Sequence, residues 1–113
     1  MPVVDIYCCV ATHNKNTYVR LERQEVACRA YCETQGLEVG IVHHEVAAGT
    51  MYQNRRQVRH ILSRCSEGAI QGVVVADKER ISHSAEQREA FVAELARSNA
   101  TLYIVHDAPT VIR

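Results

Sequence analysis

The run Gly72-Val73-Val74-Val75-Ala76 constrains this chain more than any other segment. Bounded by Gln71 and Asp77, it is small or β-branched and apolar throughout, so it has no polar face to offer water. A strand of that kind is covered on both sides, as in the interior of a parallel sheet, and parallel neighbours need a crossover connection, usually a helix. Val3 to Val10 is rich in β-branched residues, with apolar side chains on both alternating faces, and supplies a first strand.

Helical periodicity fills the intervals. From Thr17 to Gln35, Leu21, Cys28 and Tyr31 recur at helical spacing between charged positions, and Gly36 stands where a left-handed residue would end a helix. Leu37 to Val42 reads as the second strand, and the polar stretch from His43 to Gln53, containing Gly49, reads as a functional loop. The His43-His44 pair is expected to face solvent at the strand's end. Asn54 with Gln57 has the form of a capping box opening a helix through about Ser66, with Val58, Ile61, Leu62 and Cys65 inward and Gly68 at its close. A second box, Ser84 with Gln87, opens a helix to about Ser98, with Phe91, Val92 and Leu95 inward and Asn99 capping it. Thr101 to Val105 is the fourth strand, and the residues after it, including Pro109, leave no room for another full element. The pattern βαβαβαβ implies a three-layer α/β fold. The expectation is a mainly parallel four-stranded sheet of order 2-1-3-4 with helices on both faces.

At 113 residues the chain is one domain, and with five Tyr, one Phe and no Trp its core must be built from Val, Ile, Leu, Ala and Cys. Thirteen Lys+Arg balance thirteen Asp+Glu, which removes the usual electrostatic reason to propose nucleic-acid binding. No apolar run approaches the ~20 residues that span a bilayer. The N-terminus Met-Pro-Val-Val-Asp lacks the basic region of a secretory signal, so the expected location is cytoplasmic. The five cysteines are then read as reduced thiols. Cys28 and Cys32, four apart on the first helix, offer two thiolates to a metal, but no CxxC or HxxxH follows at zinc spacing. They are read as small packed apolar residues, and no metal or cofactor is expected.

In a doubly wound sheet ligands collect beyond the carboxyl ends of the strands, where strand order reverses. With order 2-1-3-4 that point lies between the first and third strands. Cys9 to Asn14 and Asp77 to His83 should converge there, with His43 to Arg55 nearby.

Those segments carry a resemblance. Tyr7-Cys8-Cys9-Val10-Ala11-Thr12 resembles the Y-x-R-V-S-T motif of the serine recombinases (resolvases and invertases). The stretch from Leu21 to Tyr31 is similar to their L-x-x-Q-x-x-x-C-x-x-Y. Glu45 to Thr50 with Arg55 after it resembles D-x-x-x-S-G followed by an arginine, and Val73 to His83 resembles V-V-V-x-x-x-D-R-L-S-R. The match runs in order along nearly the whole chain and implies the resolvase-like fold as one catalytic-core-like domain over residues 1–113. In that family a serine hydroxyl attacks a DNA phosphodiester, while arginines position the phosphate and stabilise the charge of the transition state.

Carried over residue by residue, the nucleophile position is Ala11, and two arginine positions hold Cys9 and His83. Arg55 and Arg80 persist, and Glu45 and Glu79 keep the charge of aspartates. The resemblance thus implies an anion site of Arg55 and Arg80 without the means to cut. Thr12 is no substitute, because neighbouring side chains on an extended strand point to opposite faces. A Cys9 thiol beside Arg80 is an alternative nucleophile. Thiolates attack phosphodiesters poorly, however, and the plainer reading is a small buried thiol in the space of a lost arginine. Arg55, Arg56, Arg59 and Arg64 with His60 form a basic cluster at the second helix, read either as an anion surface or as a solvated face.

Recombinases of this family continue into a long dimerisation helix and a DNA-binding domain, elements absent from these 113 residues. The resemblance therefore implies a monomer or weak homodimer, with DNA held weakly and non-specifically or a related full-length recombinase as partner. Two functions stay open: an inactive recombinase-like domain serving as an interaction or regulatory module in DNA recombination, and a small-anion or phosphate-binding protein reusing the fold. An active enzyme with a displaced nucleophile is a third.

Overall fold

The computed structural model describes residues 1–47 and 50–107; Gly49 and Pro109 lie outside them. The element order is β1 (Val3–Val10), α1 (Thr17–Gln35), β2 (Glu38–Val46), a 3-10 turn (Tyr52–Asn54), α2 (Arg56–Ser66), β3 (Gly72–Val75), a second 3-10 turn (Lys78–Arg80), α3 (Ala85–Ala96) and β4 (Thr101–Ile104). The strands pair in parallel in the order β2-β1-β3-β4. This is the expected three-layer α/β fold. Among the described residues no helix is long and apolar enough to cross a membrane.

Alternation along β1 divides the core. Val4, Ile6, Cys8 and Val10 pack under α1 with Leu21, Cys28 and Cys32, whereas Tyr7 and Cys9 face Val58, Ile61, Cys65, Phe91 and Leu95 of α2 and α3. Helix α1 has the expected bounds, and Gly36 ends it at φ 69°, a conformation that costs a residue without Cβ little. Burial pushes the Cys8 and Cys28 thiols up to about 12, Cys65 to about 11, and Cys32 upward as well. All four are packed thiols, so at about pH 8 iodoacetamide should leave them unmodified in the native protein and label them all in denaturant. Rapid native labelling of Cys28 would show that the α1–sheet contact opens.

Three expectations about the second crossover are corrected. Strand β2 does not stop at Val42 but runs to Val46, so His43, Glu45 and their neighbours are sheet residues and not loop. His43 is buried, not solvent-facing: its Nε2 lies 2.8 Å from Asp5 Oδ2 and its Nδ1 2.9 Å from Gln57 Oε1. His44 is exposed as expected. The capping box at Asn54 does not form, because Asn54 closes a 3-10 turn and Arg55 becomes the N-cap residue, with no side-chain cap of its own.

The other corrections are local. In α3, Phe91 and Leu95 point inward but Val92 is exposed, since a helix this short has room for one narrow apolar stripe. The helix ends at Ala96, and Asn99 follows with φ 56° in the reversing turn. Arg64 leaves the supposed basic surface of α2 to reach the fully buried Asp5, donating from Nε at 2.7 Å and Nη2 at 3.1 Å. A bulge in β2 makes this contact possible. Between the Val4/Val39 and Ile6/Val42 pairs β2 has an extra residue, and the displaced Ile41 amide donates to Asp5 Oδ1 at 2.8 Å. Any Cβ on Gly40 would sit 2.7 Å from that oxygen and 3.0 Å from Arg64 Nη2, so the bulge needs glycine.

Candidate functional site

The carboxyl end of the sheet opens into a cavity of about 440 Å³ where β1 and β3 diverge. Its wall includes Cys9, Ala11, Arg55, Glu79, Arg80 and His83, so six of the seven expected site residues share it. Glu45 lies behind that wall, its Oε1 accepting the Tyr7 hydroxyl at 2.8 Å and its Oε2 accepting the Gln57 amide at 2.9 Å. Placement follows from strand lengths. β1 pairs with β3 only as far as Tyr7/Val75, leaving the backbone of Cys9 without a strand on that side. Side chains take over: the Cys9 amide donates to Gln24 Oε1 at 2.9 Å, while Gln24 Nε2 and Arg80 Nη1 each donate to the Cys9 carbonyl at 2.8 Å. Arg80 thus grips backbone and not the thiol, and it also donates from Nε to Asp77 Oδ1 at 3.1 Å.

Arg55 is the charged residue most firmly built into the wall. It is 8% exposed, donating from Nε to the Thr50 carbonyl at 3.0 Å and from Nη1 to the Arg80 carbonyl at 2.8 Å and the Tyr7 hydroxyl at 3.5 Å. Among the described residues no carboxylate lies within ion-pair distance of it. Burial pushes the Tyr7 phenol up, with Cys9 and the Glu45 carboxylate adding to the shift, so Tyr7 stays a donor toward Glu45. A buried guanidinium held by neutral oxygens leaves net positive charge at the cavity wall.

The rim is more evenly balanced. His83 is exposed, its Nδ1 2.8 Å from Glu79 Oε2. Cys9 is buried with its Sγ 3.8 Å from the Val10 carbonyl, and Ala11 presents a methyl group. Ser82 and Ser84 reach the wall, but their hydroxyl oxygens accept the amides of Ser84 (3.0 Å) and Gln87 (3.3 Å) and thereby start α3. The second capping box is therefore half formed: Gln87 Oε1 is buried at the wall with no hydrogen-bond partner. Among the described residues the wall thus sets the buried Arg55 guanidinium and the half-buried Arg80 beside the methyl group of Ala11.

Reading the sequence missed Arg20 on α1, Gln87 as a wall residue, and the Tyr7–Glu45 pair. Nothing in the local pattern around Arg20 marks it; only the position of α1 beside the end of β1 brings it in. Arg56, Arg59 and His60 remain on the exposed face of α2, so the basic cluster is divided between cavity, core and solvent. Among the described residues no group of three or more His, Cys, Asp or Glu is arranged to hold a metal ion.

A family model described as Resolvase, N terminal domain, matches residues 4–111. No curated protein matches the chain significantly. Solved structures do. The C-terminal catalytic domain of ISC1926 TnpA, an IS607-like serine recombinase, superposes with a TM-score of 0.80 at 20% identity, covering 94% of this chain and 71% of that one. The C-terminal catalytic domain of IS1535 TnpA, also an IS607-like serine recombinase, gives 0.72 at 25% identity, covering 90% and 70%. A resolvase family site-specific recombinase from Streptococcus pneumoniae gives 0.79 at 16% identity, covering 96% and 75%.

Proposed function

Because this chain belongs to the Resolvase, N terminal domain family, we propose that it is a catalytically inactive serine-recombinase-type domain, an interaction or regulatory module in DNA recombination. One observation carries the reading: at the cavity where the family motif calls for the nucleophile, the side chain is the methyl group of Ala11. Cys9 and His83 stand at two further positions where the motif has arginine, so both attack and charge stabilisation are weakened together. The family reaction forms a phosphoserine ester, and an alanine has no oxygen with which to form it. The partner that fits this reading is a related full-length recombinase, with DNA contacted weakly.

Incubation with supercoiled DNA carrying recombinase sites should give neither strand breaks nor a covalent protein–DNA adduct. An adduct at any residue overturns the inactive reading, and an adduct at Cys9 would identify a displaced nucleophile.

A second reading is favoured by Arg55, whose buried charge has no carboxylate partner among the described residues. On that reading the cavity is a small-anion or phosphate site serving unrelated chemistry. Titration with inorganic phosphate should move the side-chain NMR signals of Arg55 and Arg80 together at about millimolar concentration. Unmoved signals remove this second reading and leave the first intact.

A further inference from the structure

We infer that the outer face of α1 is a contact surface for a second copy of this chain, with the two α1 helices crossing in a parallel sense. The inner face of α1 is fully used: Leu21, Cys28 and Cys32 are buried under the sheet. On the opposite face Val19 and Val26, two turns apart, are 48% and 62% exposed. Valine is a poor choice for a solvated helix surface, where it contributes neither helix propensity nor solubility. Between them Glu22 and Arg23 are exposed, and among the described residues neither forms an ion pair or side-chain hydrogen bond. Glu25 on the flank of the helix is by contrast paired: it accepts from Arg29 and lies 2.9 Å from His44 Nε2. Val19, Glu22, Arg23 and Val26, with Ala27, line a shallow groove along the helix.

The arrangement of these four residues selects both partner and orientation. At about 100° per residue Val19 and Val26 lie on the midline of the face, Glu22 falls to one side and Arg23 to the other. A two-fold axis running along a parallel pair of helices carries each side of the face across the interface to the other side. Val19 then meets the partner's Val19, Val26 meets the partner's Val26, and each Glu22 faces the partner's Arg23. An antiparallel pair keeps the sides in place, setting Glu22 against Glu22 and Arg23 against Arg23. The surface is complementary to itself only in the parallel sense. One helix face buries less than the roughly 1,200 Å² of total surface that marks stable complexes, so the contact is transient.

Analytical ultracentrifugation at low ionic strength and up to about 1 mM protein should show reversible dimerisation. Amide shifts on dilution should be confined to the outer face of α1. Glu22→Arg and Arg23→Glu, each alone, should weaken self-association about tenfold by setting like charges across the axis, and an equimolar mixture of the two should restore it. The double variant E22R/R23E should associate with itself but not with the wild type, which separates the parallel from the antiparallel pairing. All these side chains are solvent-exposed, so an unchanged melting temperature confirms that each variant is folded. A wild type that stays monomeric at this concentration, single variants that associate as well as wild type, or shifts mapping to another face overturn the inference.

Discussion

Asp5→Ala should lower the unfolding free energy by about 3–5 kcal/mol, a large part of the roughly 5–15 kcal/mol available to a domain of this size. Asp5 is a charged residue in the middle of an otherwise apolar central strand, with no accessible surface. Its carboxylate collects donors from three places: Arg64 on α2, His43 on β2 and the amide of Ile41 at the β2 bulge. Alanine deletes the acceptor, leaving the buried His43 ring without its hydrogen-bond partner and Arg64 without its counter-charge, the most damaging way to break such a pair. Asp5→Asn keeps an oxygen for the Ile41 amide and should cost less. Urea denaturation of the three proteins at neutral pH measures both effects, and an alanine variant within about 1 kcal/mol of wild type would mean the cluster is energetically idle.

The same residue gives the fold an acid limit. Burial pushes the Asp5 carboxyl upward, but hydrogen bonds from His43, Arg64 and the Ile41 amide outweigh it and hold the group down at about 2, below its ordinary 3.8. A carboxylate with a lowered native pKa adds stability above its unfolded value and loses it as the pH falls through the native one. Asp5 therefore contributes about 2 kcal/mol at neutral pH that disappears between about pH 4 and pH 2. The gap in stability between wild type and Asp5→Asn should narrow across that interval. A constant gap would show that the amide and the carboxylate are stabilised for different reasons.

What was legible beforehand depended on locality. The bounds of α1, the cap at Ser84 and the strand order rest on periodicity and local turn chemistry, and the structure reproduces them. The switch-point argument brought Cys9, Ala11, Arg80 and His83 to one cavity without any contact information. His43 and Glu45 were misread as loop because they are polar, and the groups that make a polar strand residue tolerable, Asp5 and Tyr7, lie on β1 far away in sequence. Arg64 was misread for the same reason: its partner Asp5 is 59 positions distant. At His43, Glu45 and Arg64 a long-range polar pair overrides the local pattern.

Glu45 shows what such a pair does for the cavity, and replacing it should be the second most damaging change. Helix α2 begins with Arg55 at the N-cap and no acidic residue in its first turn, so its own sequence neither caps nor charges the positive end of the helix dipole. Glu45 supplies both from the end of β2, accepting the Gln57 amide while its other oxygen holds the Tyr7 hydroxyl. Glu45→Ala loses a cap worth about 0.5–2 kcal/mol and strips a buried phenol of its acceptor at about 1–3 kcal/mol, for a total near 2–4 kcal/mol. Glu45→Gln retains an oxygen for the Gln57 amide and a polar group for Tyr7, and should lose about 1 kcal/mol, mainly the dipole interaction. Because Arg55 is both the N-cap residue of α2 and a wall of the cavity, fraying the helix start should also release its guanidinium. Hydrogen exchange at the Gln57 amide, read beside the Arg55 side-chain signal, should therefore rise together with Arg55 mobility in the alanine variant and stay near wild type in the glutamine variant. Exchange that rises while Arg55 remains fixed would mean that the carbonyls of Thr50 and Arg80 hold the guanidinium without help from the cap.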